Sequence, residues 1–218
     1  IYSSKNRFIA FGTDTRGLFI YKEALFKTLT YPTPENNTSN AYYTQIEIDS
    51  NTLFTDWSRD FTINGGAKSK WNIKSEPEEN IFKDSKGFLW LRQNARIIKY
   101  NTLSGEQKQI YNPTNEIPFS FYEEGDSLWV GSTKGFFYVK NDSIKLNVYL
   151  NKGETNTNQS QIFRGKDRKL WFCNFTGVYS YNEQSKTVDT LKSLYLKFPY
   201  NISFYDDYLM VGTNGGGY

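Results

Sequence analysis

Two stretches of the sequence combine side chains suited to binding a small polar ligand. One contains Arg92, Gln93 and Arg96, and two guanidinium groups so close in sequence can hold a carboxylate or sulfate through forked hydrogen bonds. The other contains Trp57 and Arg59, an aromatic ring beside charged groups, which suits stacking against a sugar. We therefore predict that these five residues contact a ligand.

Each of these residues also has a purely structural interpretation. Arg92 and Arg96 can pair with neighbouring acids or face solvent, and Trp57 can belong to the hydrophobic core. The residue types alone do not decide between the two roles. The elements that position the side chains are therefore needed.

The scarcity of histidine and cysteine excludes several kinds of site. The 218 residues contain no histidine and one cysteine, Cys173. A disulfide within the chain, a zinc site of the Cys and His kind, a Ser-His-Asp triad and a Cys-His pair cannot form from these residues. We predict no catalytic residue, no metal and no cofactor, and we expect Cys173 to be a small buried thiol.

Composition and charge indicate an all-β protein that does not bind nucleic acid. Aromatic residues make up 18% of the chain, and residues of this kind favour pleated, half-buried strands. The net charge is +3, with Lys and Arg scattered among acids, so the sequence has no basic stripe that could follow a phosphate backbone. No segment approaches the roughly 18 apolar residues that a membrane span requires.

A repeat organises the whole sequence. Segments that join a hydrophobic strand to a tight turn align at positions 10, 54, 90, 129, 171 and 210, at intervals of 36 to 44 residues. A period of roughly 40 residues matches one four-stranded propeller blade and is too long for leucine-rich or ankyrin units. We predict that residues 1–218 form a β-propeller of four-stranded antiparallel blades, with five to six blades in this chain.

The repeated positions also predict the framework of each blade. Glycines that follow the hydrophobic strand suit close backbone approach, and we expect a positive φ at the hairpin glycines 17, 135 and 177. Tyrosines 42, 43, 195 and 200 fall in the connections between blades and could add stacking surfaces. The residues that we assign to the framework are Gly12, Gly17, Asp84, Gly87, Trp90, Trp129, Gly131, Gly135, Trp171, Gly177 and Gly212.

The repeat resembles the two-component regulator propeller repeat, whose pattern is Asp-x-x-Gly-x-x-Trp-x-Gly-Thr-x-x-Gly. Asp84, Gly87 and Trp90 match its first half. Trp129, Gly131, Thr133 and Gly135 match most of its second half, with the threonine displaced by one position, and Trp171 with Gly177 match loosely. The resemblance extends over nearly the whole chain, and the motif residues are structural in that family.

The resemblance implies a periplasmic sensor region of a hybrid histidine kinase of the Bacteroidetes. Such a region recognises an oligosaccharide or another small extracellular ligand and signals through further domains of the same protein, which can also hold a homodimer together. Propellers of that family have seven blades. The first and last repeats in this sequence both supply the second strand of a blade, so we expect a fragment of a larger ring.

Two other functions remain open from the residues alone. The segment from Asp84 to Trp90 is similar to the sialidase Asp-box, although the Asp-box has one residue fewer between its aspartate and its glycine. This similarity favours a propeller glycoside hydrolase or polysaccharide lyase. Such an enzyme needs a carboxylate pair, or arginines beside a tyrosine nucleophile. A protein-interaction scaffold is the third possibility, although the Gly-His and Trp-Asp signatures of such propellers are missing.

Overall fold

The structure is a computed structural model in which every described regular element is a β-strand. It describes the backbone at residues 2–3, 8–13, 17–22, 25–29, 42–48, 51–56, 60–63, 81–93, 95–111, 116–150, 160–192 and 198–213. Side chains are described at residues 46–48, 81–93, 95–111, 116–150, 161–192 and 198–213. Within these ranges, a helix long and apolar enough to cross a membrane is absent.

The chain divides into two compact units. The first comprises residues 1–94 and 98–108, and the second comprises residues 95–97 and 109–218. The strands form six antiparallel sheets in chain order, each of which joins neighbouring strands of the sequence by hairpins. This up-and-down connection within every sheet agrees with the predicted blade.

Sheets 1 to 3 cover the first half of the chain. Sheet 1 has the order β1-β2-β3-β4, sheet 2 the order β5-β6-β7 and sheet 3 the order β11-β10-β9-β8. Their strands are β1 (Tyr2–Ser3), β2 (Phe8–Thr13), β3 (Gly17–Lys22), β4 (Leu25–Leu29), β5 (Tyr42–Ile48), β6 (Asn51–Asp56), β7 (Asp60–Ile63), β8 (Phe82–Lys83), β9 (Phe88–Gln93), β10 (Arg96–Asn101) and β11 (Gln107–Tyr111).

Sheets 4 to 6 cover the second half. Sheets 4 and 5 each have four strands, and sheet 6 has two described strands. Their strands are β12 (Pro118–Glu124), β13 (Ser127–Ser132), β14 (Gly135–Lys140), β15 (Ser143–Tyr149), β16 (Ser160–Arg164), β17 (Leu170–Asn174), β18 (Gly177–Asn182), β19 (Thr187–Thr190), β20 (Pro199–Tyr205) and β21 (Tyr208–Thr213).

The repeated anchor positions lie in the second strand of each sheet. Trp90 lies in β9, Trp129 in β13, Trp171 in β17 and Met210 in β21. In sheet 2 the register pairs Leu53 with Ile46, just as the register of sheet 4 pairs Trp129 with Tyr122. The residue of sheet 2 that is equivalent to Trp129 is therefore Leu53, one position before the predicted anchor at residue 54. A one-residue offset of this kind is hard to see in sequence because Leu53 and Phe54 are both apolar.

Each unit has its own hydrophobic core. In the first unit, Ile48, Ile81, Leu89, Leu91 and Ile98 are nearly inaccessible and pack together with Tyr100. Ile48 ends β5 of sheet 2, Ile81 precedes β8, and the other residues lie in β9 and β10 of sheet 3. Burial of such side chains stabilises the fold by roughly 1.5 to 3 kcal/mol each.

The core of the second unit is largely aromatic and lies between sheets 4 and 5. Phe136 packs against Phe172 with ring centroids 5.6 Å apart and against the edge of Tyr181 at 5.3 Å. Trp129, Ile162, Leu170 and Tyr179 complete this cluster. The fourth strands β11 and β19 have mostly exposed side chains, as is usual for the outer edge strand of a sheet.

The hairpin glycines are required for different reasons. At Gly135 a Cβ atom would overlap the carbonyl oxygen of Val148 and lie 3.2 Å from the Leu150 nitrogen, so this position needs glycine for close approach. The prediction of a positive φ at Gly177 is wrong. The Asn174 side chain caps that turn by accepting the Thr176 N–H at 3.0 Å, and Gly177 is instead crowded by the ring of Tyr179.

Candidate ligand-binding site

The structure describes three of the five residues predicted to bind a ligand. Arg92 and Gln93 end β9, and Arg96 begins β10 after the turn at Ala95. Arg92 is 9% exposed, Gln93 is half-buried and Arg96 is exposed. Arg96 is therefore open to solvent, while Arg92 belongs to the interior, and their contact with a ligand stays a prediction. Trp57 and Arg59 lie outside the described residues.

Arg92 stands where other repeats have a small residue. Counted from the tryptophan, its equivalents are Gly131 in sheet 4 and Cys173 in sheet 5. Cys173 is fully buried beside Val178 and Ile202, which confirms the expected buried thiol. Burial raises the pKa of the Cys173 thiol to about 12.

The buried thiol leads to a chemical prediction. Because the nucleophile is the thiolate, thiol–disulfide exchange of Cys173 with an added disulfide reagent, which forms a mixed disulfide and releases the reagent's thiolate, should be at least about a hundredfold slower in the native protein at pH 8 than in denaturant. Labelling kinetics with a chromogenic disulfide reagent, with and without urea, provide the measurement. Equal rates under both conditions would show that Cys173 is accessible.

A hydrogen bond between a carboxylate and an indole N–H recurs in three sheets. In sheet 3 the Asp84 carboxylate accepts the Lys86 N–H at 3.0 Å, the Phe88 N–H at 2.8 Å and the Trp90 Nε1–H at 2.8 Å. In sheet 4 the Glu124 carboxylate accepts a side-chain hydrogen bond from Trp129. The tryptophans of the repeat therefore need a nearby acid as well as a hydrophobic core.

Sheet 5 forms the same bond from a different position of the turn. Asp167 accepts the Trp171 Nε1–H at 3.1 Å. When sheets 3 and 5 are aligned on their tryptophans, however, Asp167 corresponds to Lys86, and the residue that corresponds to Asp84 is Gly165. A Cβ on Gly165 would lie 2.6 Å from Asp167 Oδ1 and 2.7 Å from Trp171 Cδ1. The carboxylate thus occupies the space that a side chain at residue 165 would need.

Arg164 connects sheet 4 to sheet 5. Its Nε donates to Glu124 Oε1 at 2.8 Å, its Nη2 also contacts Glu124, and the same nitrogen lies 2.7 Å from Glu183. The hydrogen bond from Arg164 lowers the pKa of Glu124, and the two acids raise the pKa of Arg164. This triad fixes the relative position of β12 and β16.

The triad predicts a dependence of stability on acid. Since the pKa of Glu124 is lower in the folded state than its ordinary value of 4.5, its contribution is present at neutral pH and is lost as the pH falls through the folded-state value. Glu124→Gln should cost less than about 1 kcal/mol at pH 7, because the pair is partly exposed. Urea unfolding at pH 7 and pH 3 should show this difference shrink in acid; a constant difference would contradict the assignment.

The turn after β13 uses a different hydroxyl from the one predicted. Ser132 Oγ accepts the N–H groups of Lys134 at 3.3 Å and Gly135 at 3.2 Å, so Ser132 occupies the motif's threonine position. Thr133 instead accepts the Ile117 N–H at 3.1 Å. The match of Thr133 to the motif is therefore corrected to Ser132.

A buried carboxylate lies beside this turn and is not indicated by the repeat. Glu116 is 2% exposed and accepts hydrogen bonds from Ser132 Oγ and from Tyr111 OH, the latter at 2.8 Å. Burial and the neighbouring Glu116 raise the pKa of the Tyr111 phenol. The network joins the connection before β12 to the turn after β13, and its sequence signal is an acid in the connection between β11 and β12.

Three aromatic rings meet at the turn after β17 and the start of β20. Phe175 lies 6.4 Å from Phe198 and 6.0 Å from Tyr200, measured between ring centroids. Phe198 is 59% exposed and Tyr200 is 45% exposed. We refer to Phe175, Phe198 and Tyr200 as the aromatic cluster. Tyr200 is one of the tyrosines that the sequence places between blades, whereas the phenylalanines were not predicted to take part.

Potential metal ligands do not form a group in the part of the chain that the structure describes. There, no group of three or more Cys, Asp or Glu side chains is arranged to hold a metal ion. The acids noted above are occupied by backbone, indole, guanidinium or hydroxyl donors. Their arrangement supports the fold.

Comparisons with known proteins give similarities of structure. No family model matches the sequence, and no curated protein matches it. The streptogramin B lyase structure has 18% identity and a TM-score of 0.67, with 94% of this chain and 72% of that chain covered. The extracellular domain of the putative hybrid two component system BT4673 from B. thetaiotaomicron has 15% identity and a TM-score of 0.56.

A third similar structure is PorZ, a bacterial surface component of the type-IX secretion system of Porphyromonas gingivalis, with 15% identity and a TM-score of 0.68. The matches cover 97% and 98% of this chain but only 36% of the BT4673 domain and 37% of PorZ. The chain thus spans about a third of those two structures. Together with the antiparallel four-stranded sheets, these likenesses identify the fold of this chain as a β-propeller.

Proposed function

We propose that this chain is a ligand-sensing propeller domain of a two-component signalling protein, located on the extracytoplasmic side of the inner membrane, and that its ligand is a carbohydrate. The observation that carries the proposal is the structural similarity to extracellular domains of hybrid two-component systems over 93% to 97% of the chain. The repeat pattern of the sequence points to the same family. The signalling domains, and any contacts of a homodimer, belong to the rest of that protein.

The state of the acidic residues favours binding over catalysis. Glycoside hydrolysis needs two carboxyl groups that flank the scissile bond, one of which donates a proton. The carboxylates of Asp84, Glu124 and Asp167 hold turns and indoles, and Glu116 is buried between hydroxyl groups. None of these four groups is placed to act on a bound sugar.

A propeller glycoside hydrolase or polysaccharide lyase is the second candidate. It is favoured by the structural similarity to streptogramin B lyase and by the pairing of Tyr111 with Glu116. A tyrosine nucleophile must lose its proton to a neighbouring base. The raised pKa of the Tyr111 phenol opposes that step, so the pair suits a structural role better. A protein-interaction scaffold has no specific observation in its favour.

Calorimetric titration of the purified protein with neutral and acidic oligosaccharides tests the proposal. Each oligosaccharide that binds should be incubated with the protein and analysed for products by chromatography. Binding without product supports the sensor, whereas turnover supports the enzyme. If no oligosaccharide binds, the carbohydrate ligand is excluded and a protein partner becomes the better hypothesis.

The ligand contacts predicted from the sequence are also proposals to be tested in this titration. Arg96→Ala is the informative variant of the β9–β10 hairpin because the side chain is exposed and its removal should spare the fold. Arg92→Ala also removes a buried side chain, so a loss of binding in this variant could come from a loss of stability. The stability of the variant must therefore be measured together with its affinity. Trp57→Ala, Arg59→Ala and Gln93→Ala complete the set.

A further inference from the structure

The aromatic cluster is unusual among the corresponding positions of the repeat. Phe175 takes the place of Thr133, which is 1% exposed, and Tyr200 takes the place of Phe119, which is 4% exposed. In sheet 4 these positions are filled by a small residue and by a core residue. In sheets 5 and 6 they carry aromatic rings, of which Phe175 is half-buried and Tyr200 is 45% exposed.

The backbone supports the same distinction. Phe198 has a φ of 51°, in the left-handed region that a bulky residue rarely adopts. Such a conformation costs roughly 1 kcal/mol or more, and strained residues of this kind concentrate at binding sites. The ring of Phe198 is large and apolar, yet it is 59% exposed.

The geometry of the rings suits a small ligand. Phe198 is nearly perpendicular to Phe175, with an interplanar angle of 87°, and Tyr200 is tilted by 45° from it. The three rings therefore present apolar faces in different directions around Phe175. Thr176 and Asn201, which follow the ring residues in sequence, are exposed and uncharged.

The size and charge of the cluster decide between classes of ligand. An aromatic side chain buries roughly 150 to 250 Å² in total, so the partly exposed rings offer a few hundred Å² at most. A stable protein interface needs about 800 Å² from each partner. The three rings carry no charge, and their apolar faces suit the C–H face of an uncharged ligand. A pyranose ring, with a C–H face and a hydroxyl rim, fits this surface.

We propose that Phe175, Phe198 and Tyr200 form a stacking subsite for one pyranose unit of a neutral oligosaccharide. This inference rests on the proposed function, since it names the place where the sensed carbohydrate docks. The sugar lies against the exposed rings of Phe198 and Tyr200, while Phe175 holds both rings in position. Stacking of this kind is tolerant of the identity of the sugar.

The test uses the whole chain and neutral hexasaccharides of glucose, xylose and mannose as probes. Phe198→Ala and Tyr200→Ala should each weaken binding of the best probe by about tenfold, and Tyr200→Phe should retain it within about threefold. Because the rings are exposed, thermal unfolding of the variants should stay close to that of the parent protein. Proton spectra of the bound sugar should show upfield shifts of its ring C–H signals.

Tyr208→Ala is the matched control, since Tyr208 is an exposed tyrosine on β21 outside the cluster. Full affinity in a Phe198→Ala/Tyr200→Ala double variant would overturn the subsite while leaving the proposed function intact. A parent protein that binds none of the neutral probes but does bind an acidic oligosaccharide would also overturn the subsite alone. Failure of every oligosaccharide to bind would overturn both.

Discussion

Gly135→Ala is expected to lower the free energy of unfolding by about 3 kcal/mol or more. The new Cβ atom would overlap the carbonyl oxygen of Val148, where β14 meets β15. A backbone oxygen cannot move aside as a flexible side chain can, so the strand must shift and the aromatic core beside it must repack. Urea denaturation followed by tryptophan fluorescence measures the loss.

Gly212→Ala is the control for this variant. A Cβ at Gly212 would lie 3.7 Å from Asn201 Cβ, an ordinary contact distance, and nothing closer is found among the described residues. Since alanine also reduces the entropy of the unfolded chain, its effect should lie within about 1 kcal/mol of zero. Equal losses in the two variants would show that close approach at Gly135 is not what requires glycine there.

Asp84→Ala is expected to have the second-largest effect, a loss of about 2 kcal/mol. The substitution removes the acceptor of three N–H groups and leaves the Nε1–H of Trp90, which is 5% exposed, buried without its partner. A buried donor left in this state costs roughly 1 to 3 kcal/mol. Asp84→Asn should fall between the parent and the alanine variant, because its amide retains one acceptor oxygen.

Asp167→Ala offers the matched comparison within the same chain. It removes the equivalent bond to Trp171, but this indole is half-buried and its bond to Asp167 is exposed to solvent, so water can replace the lost acceptor. The expected loss is less than about 1 kcal/mol. A loss as large as that of Asp84→Ala would mean that the carboxylate contributes chiefly through its turn and not through the indole.

Much of the fold could be predicted from the sequence because the repeat is local. The alternation of apolar residues and the hairpin signals recur every 36 to 44 residues, and each period folds mainly onto itself. The strands therefore lie where the pattern predicts them in sheets 3 to 6. Sheet 1 also contains the short strand β1, which the repeat pattern did not predict.

The candidate site was less accessible to sequence reasoning because it depends on exposure. Arg92 and Arg96 look alike in sequence, yet one is buried and the other faces solvent. Phe175 and Phe198 are 23 residues apart and appear ordinary among 17 phenylalanines. Only packing of sheet 5 against sheet 6 brings their rings together.

The sequence by itself thus determined the strand order, the blade length, the buried thiol and the absence of histidine and disulfide chemistry within this chain. These properties follow from composition and from contacts between neighbours in sequence. Tertiary structure alone decided which acid holds each indole, which glycine is required for close approach and which aromatic rings remain exposed. The physical reason is that burial and hydrogen-bond partners depend on residues far apart in the chain, whose distances no local pattern specifies.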